Sequence, residues 1–172
     1  LESVREAYGD DWWYTSSLAF ALNELNRFSE SAPLAERAYE MRQTGNAAHT
    51  VAHVHFETGG VDAGVSFLEA FLSWHPREAQ IHSHLGWHLA LFELARGNPG
   101  GANRIMDDLL RPSISHGSPL STLADGAALV WRQQLLGVEP AENAATEVAD
   151  YASQRFARPG VTFADLHCAL AY

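Results

Sequence analysis

The stretch His49–Gly60, HTVAHVHFETGG, contains the signals that decide the fold of this chain. Its apolar residues recur at helical spacing, and the glycine pair at its end favours a helix terminus. Three other turns have the same character, since Asn26-Arg27, Gly97-Asn98 and Gly137-Val138 each follow an apolar helical stretch. Successive turns are 33, 38 and 40 residues apart. Periods in this range are typical of helical solenoids.

The residues before three of these turns share a second pattern. Leu18-Ala19, Val51-Ala52 and Leu89-Ala90 each pair a large apolar residue with an alanine, and the small side chain lets another helix approach closely. The sequence therefore predicts an all-α chain of helical hairpins. It resembles a tetratricopeptide-repeat array, and this resemblance implies a right-handed α-α superhelix of tetratricopeptide-like hairpins. Residues 1–172 are assigned to a single domain. The hairpins are expected at about 12–44, 46–76, 82–112 and 119–157, and a further helix at 163.

Composition excludes several classes of protein. Hydrophobic residues make up 47% of the chain and charged residues 19%, which is typical of a globular protein. The formal net charge is −10, and no basic patch is visible, so no nucleic-acid partner is expected. No apolar run is long enough for a membrane span, and no signal-peptide pattern occurs at the start. With a single cysteine, Cys168, the chain is predicted to be cytoplasmic.

Four blocks of sequence resemble the tetratricopeptide repeat protein 38 family: HTVAHVHFETG, GWHLALFELARG, DGAALVWRQQLLG and FADLHCALA. The resemblance covers residues 12–172 and implies an all-helical repeat fold. Members of that family are longer at both ends, so the resemblance also implies that this chain is a central fragment. It brings no established biochemical activity, and the function must be inferred from the residues themselves.

Six of the nine histidines lie in two short windows of the sequence. Four of them form two pairs with a spacing of four residues, His49 with His53 and His84 with His88. Residues at this spacing share one helix face, and in the repeat register both faces belong to the predicted concave surface. His55 takes a packing position in this register. His82 is expected to lie near a helix start and to be exposed.

The same register places polar and aromatic residues from every hairpin on the predicted concave surface. The candidate binding residues are Trp13, His49, His53, Glu57, His84, Trp87, His88, Asp125, Trp131, Arg132, Asp165 and His167. The stripe of the first hairpin also includes Ser16, Phe20, Asn23 and Glu24. A surface that combines tryptophans, histidines and carboxylates is typical of a binding pocket. No residue is assigned a catalytic role.

Three interpretations of the histidines stay open: packing, a binding groove, and a metal site. H-x-x-x-H on a helix is a spacing used for zinc, but it needs further ligands. The candidates for these ligands are Glu57, Asp125, Asp165 and His167. The zinc-protease pattern requires glutamate after the first histidine, where this chain has Thr50. No cofactor is assigned, although His49, His53, His84 and His88 stay candidates for binding a metal.

Two functions are compatible with these observations. The favoured one is a scaffold that binds a basic or apolar protein or peptide partner through its concave surface. The alternative is a small-molecule or metal-binding site, a candidate for enzymatic activity, built from the clustered histidines and carboxylates. The bulky Trp13, Trp87 and Trp131 favour the alternative because they narrow the groove. Repeat folds of this kind more commonly bind partners, which favours the scaffold.

Overall fold

The computed structural model describes residues 1–79 and 81–172, without the side chains of Glu2 and Arg5. The described residues form helices and no strand, so the predicted all-α class is confirmed. After a 3-10 turn at Glu2–Val4, the described residues form the α-helices α1 (Arg5–Tyr8), α2 (Trp12–Glu24), α3 (Phe28–Met41), α4 (Gly45–Glu57), α5 (Val61–Leu72), α6 (His82–Ala95), α7 (Pro99–Ile105), α8 (Pro119–Leu135), α9 (Ala144–Arg155) and α10 (Thr162–Ala171). A π-helical turn, Met106–Leu110, continues α7. None of the described helices is both long enough and apolar enough to cross a membrane.

The four predicted turns end helices as expected. Asn26, Gly59, Gly97 and Gly137 adopt φ angles of 59°, 75°, 76° and 67°, in the left-handed region. Glycine enters this region without steric cost, and asparagine tolerates it better than most residues. These local preferences explain why α2, α4, α6 and α8 each end close to the predicted position.

The chain forms two compact units, Leu1–Ser73 and Trp74–Tyr172. In the first unit, α2 packs against α3 and α4, α3 packs against α4, and α4 packs against α5. Ala19, the alanine of the predicted pattern in α2, is fully buried beside Ala35 and Val51. Its carbonyl accepts a hydrogen bond from Ser31 Oγ at 2.7 Å. The small side chain therefore lets α3 reach the backbone of α2.

In the second unit, α6 packs against α7, the π-helical turn and α8, while α8 packs against α9 and α10. The core between these helices contains Ala90, Met106 and Leu129. Gly86 in the middle of α6 faces Leu109, and a Cβ atom at this position would lie 2.7 Å from Leu109 Cδ1. The missing side chain is what permits this close packing.

Candidate functional site

The first histidine pair lies on α4 in the first unit. Thr44 caps this helix by accepting a hydrogen bond from the amide of Ala47, which fixes where the helix begins. One turn then separates His49 and His53, whose Nε2 atoms are 3.0 Å apart. Phe20 of α2 contacts both imidazoles, stacking on His49 at 5.5 Å and meeting His53 edge-on at 4.9 Å between ring centroids. His49 and His53 therefore contact each other as predicted and form a cluster with Phe20 between α2 and α4.

Glu24 at the end of α2 adds a carboxylate to this cluster. Its Oε1 lies 3.8 Å from Nδ1 of His53. The Glu24 side chain is 59% exposed, so water screens its charge. A carboxylate beside Nδ1 favours a proton on that nitrogen and leaves the Nε2 lone pair directed at His49.

A cavity of about 260 Å³ opens between α2 and α4 beside the pair. Its lining residues are Trp13, Ser16, Ser17, Phe20, Asn46, His49 and Thr50. Ser16 and Thr50 join the two helices through a hydrogen bond of 3.0 Å between their hydroxyls. Trp13 is 50% exposed, so part of its indole faces solvent. The cavity is smaller than the roughly 300–1,000 Å³ of drug-sized ligand pockets. It suits one large side chain or a small ligand.

The second histidine pair lies in the second unit, where α6 meets α8. Asp125 is 5% exposed, and its Oδ1 accepts a hydrogen bond of 2.9 Å from Nδ1 of His84. A buried carboxylate needs such a donor because its desolvation is costly. The ring of Trp87 stacks on His84 with centroids 5.4 Å apart, and His88 meets both rings edge-on at 4.9 Å.

Arg132 of α8 completes this second cluster. Its guanidinium carbon lies 5.4 Å from the centroid of the Trp87 ring, and its Nη1 donates to the carbonyl of Ala128 at 3.1 Å. Burial lowers the pKa of Arg132, but an arginine keeps its charge at neutral pH. The cluster therefore combines an indole, two imidazoles, a carboxylate and a guanidinium.

Four predicted binding residues lie away from these contacts. Glu57 is exposed at the end of α4, and Trp131 is 37% exposed on α8. Asp165 accepts from the amide of Gly160 at 3.2 Å, while Nδ1 of His167 lies 2.7 Å from the carbonyl oxygen of Phe163. These hydrogen bonds of Asp165 and His167 are local to α10 and the loop before it.

One prediction about the histidines is wrong. His82 was expected to be exposed, but it is 3% exposed and stacks on His75, with Nδ1 atoms 3.2 Å apart. Burial lowers the pKa of both imidazoles. His75 lies in the bend after α5, where helical periodicity gives no signal that its ring would cover His82. His55 is half-buried near Phe67, and burial lowers its pKa as well, in agreement with a packing role.

Sequence reasoning also missed three residues that line the cavity: Ser17, Asn46 and Thr50. Asn46 and Thr50 are four residues apart on α4 and flank His49. The helical periodicity that identified the histidine pair also places Asn46 and Thr50 together, on the part of the α4 surface next to His49.

Comparison with known proteins gives no family assignment. No protein-family model matches the chain, and no solved structure matches it significantly. The resemblance to the tetratricopeptide repeat protein 38 family therefore stays a prediction from the sequence.

Proposed function

We propose that this chain is a tetratricopeptide-like helical scaffold that binds a basic, apolar segment of a partner protein. The proposal includes the right-handed superhelix predicted from the sequence, with the first helix of each hairpin forming the binding surface. The observation that carries it is the cavity between α2 and α4, with the half-exposed indole of Trp13 among its lining residues.

The packing order of the helices supports the scaffold. Within the first unit, α2 packs against its hairpin partner α3 and against α4. Within the second unit, α6 packs against α7 and α8, and α8 packs against α9 and α10. First helices that contact both their own partner and the next first helix are what stacked repeats require, because each repeat contacts its neighbours.

The chemistry of the cavity supports a peptide as the ligand. Trp13 and Phe20 provide an apolar wall, while the exposed Asn46 offers its amide group to a bound backbone. Exposed aromatic residues of this kind supply much of the binding energy at protein interfaces. The chain carries a net charge of −10, and the exposed Glu24 lies beside the cluster next to the cavity. Charge complementarity therefore favours a ligand with lysine or arginine beside its apolar anchor.

Selection from a displayed library of short random peptides tests this function. We expect enrichment of sequences with a large apolar residue next to a basic one. The dissociation constant of a selected peptide should increase at least about tenfold in Trp13→Ala, because an interface tryptophan commonly contributes about 2 kcal/mol. Trp74→Ala is the matched control, since Trp74 is 53% exposed and lies outside the cavity. Equal binding to both variants, or no enrichment, would contradict the proposal.

A second candidate function is a small-molecule site around His84 and Asp125. The observation that favours it is the buried carboxylate that orients an imidazole, an arrangement used in general acid–base catalysis. Arg132 would favour an anionic ligand. A thermal-shift screen with small carboxylates and phosphate esters tests this candidate. Stabilisation that persists in both His84→Ala and Arg132→Ala would contradict it.

A further inference from the structure

The imidazoles of His49 and His53 converge through their Nε2 atoms, which lie 3.0 Å apart. We infer that this pair binds a divalent transition-metal ion, with one Nε2 atom from each ring as a ligand. The inference goes beyond the proposed function, because metal binding here needs no partner protein. It depends on the geometry of the first unit alone.

The distance between the two nitrogens is close to what a metal requires. Zinc lies about 2.0–2.1 Å from a histidine nitrogen, and its tetrahedral angle places two such nitrogens about 3.3 Å apart. The observed 3.0 Å differs from this by a few tenths of an ångström, within reach of small side-chain rotations. The spacing of four residues on α4 matches the helical histidine pairs that bind zinc in metalloproteases.

The hydrogen bond between the two rings holds both Nε2 atoms close together before any metal binds. One imidazole donates its Nε2 proton to the other when no metal is present, and this contact holds both rings in position. A bound ion would need both lone pairs, so the shared proton must leave Nε2 for Nδ1 of the donating ring. Metal binding by neutral imidazoles then needs a change of tautomer but no net proton release.

Glu24 and Phe20 support this arrangement from α2. Histidines that bind metals commonly donate their other ring nitrogen to a carboxylate, which fixes the tautomer and makes the ligand more basic. Glu24 lies on this side of His53, with Oε1 3.8 Å from Nδ1, a distance at which the carboxylate acts through its charge and not through a hydrogen bond. Phe20 contacts both imidazoles, which restricts their rotation. The two imidazole ligands therefore come from α4, and the residues that orient them come from α2, which packs against it.

The donor atoms select the class of ion. Imidazole nitrogens favour Cu²⁺, Ni²⁺ and Zn²⁺, whereas Mg²⁺ and Ca²⁺ prefer oxygen ligands. Cu²⁺ should bind most tightly of the three, following the order of divalent affinities. Two imidazoles leave further coordination positions for water or a ligand, and the cavity provides space, since His49 is among its lining residues.

Calorimetric titration of the untagged full chain with Cu²⁺ and with Zn²⁺ tests the inference. We expect one equivalent of each ion to bind, and this equivalent to be lost in the double variant His49→Ala, His53→Ala. Glu24→Gln should weaken binding by less than about tenfold, because Glu24 is exposed and lies 3.8 Å from Nδ1 of His53. His116→Ala is the control, because His116 is an exposed loop histidine. Retention of the equivalent in the double variant would overturn the inference.

A second measurement on the wild-type chain does not depend on how the variants fold. Electron paramagnetic resonance of the Cu²⁺ form, with nitrogen-15 in the histidines, should show two imidazole nitrogens bound to the copper. A spectrum with one histidine nitrogen or none would overturn the inference. Circular dichroism of the double variant should match that of the wild type. Both the calorimetric titration and the copper spectrum are measured without a peptide, so a failure of the proposed peptide binding would not affect them.

Discussion

Replacing His84 with alanine removes the donor that satisfies the buried carboxylate of Asp125. The two side chains are joined by a hydrogen bond of 2.9 Å, and Asp125 is 5% exposed, so little water reaches its carboxylate while the imidazole is in place. A hydrogen bond to a charged group contributes about 1.5–3 kcal/mol. The stacking of His84 on Trp87 adds about 0.5–1.5 kcal/mol. We therefore expect His84→Ala to lower the free energy of unfolding by about 3 kcal/mol.

A double-mutant cycle separates the two contributions. In an Asp125→Ala background the hydrogen bond is already absent, and His84→Ala should cost only the stacking contribution, about 1 kcal/mol. The coupling energy between the two positions is then about 2 kcal/mol. Urea unfolding at neutral pH, followed by circular dichroism, measures all four proteins, and His116→Ala serves as the surface control. A coupling energy below about 0.5 kcal/mol would refute the reasoning, because distant, independent sites show no more than this.

Two further predictions concern pH and backbone conformation. Burial lowers the pKa of His75 and His82, so below a pH of about 6.5 the unfolded chain binds more protons than the folded one and the free energy of unfolding should decrease. Urea titrations across this range should show a smaller decrease in the double variant His75→Gln, His82→Gln, and an unchanged decrease would contradict the assignment. Gly59→Ala should cost about 1–2 kcal/mol in calorimetry, because the φ of 75° disfavours a side chain although no atom lies within 4 Å. Gly160→Ala, with equal space and no positive φ, should be close to neutral, and an equal cost for both would contradict this explanation.

Much of the helical organisation could be predicted from the sequence because it depends on nearby residues. Asn26, Gly59, Gly97 and Gly137 end helices through the conformational preferences of single residues. The spacing of His49 and His53 places both rings on one face of α4, because residues four apart in a helix lie about one turn apart. Ala19 is buried as the alanine pattern predicted.

Only the tertiary structure decided which side chains meet across helices. Asp125 is 41 residues from His84, and Glu24 comes from a different helix than His53, so no local pattern pairs them. The burial of His82 under His75 likewise depends on how the chain after α5 packs against the start of α6. Helical periodicity determines the face on which a residue lies, but the packing of neighbouring helices determines its partner, and with it the chemistry of the cluster.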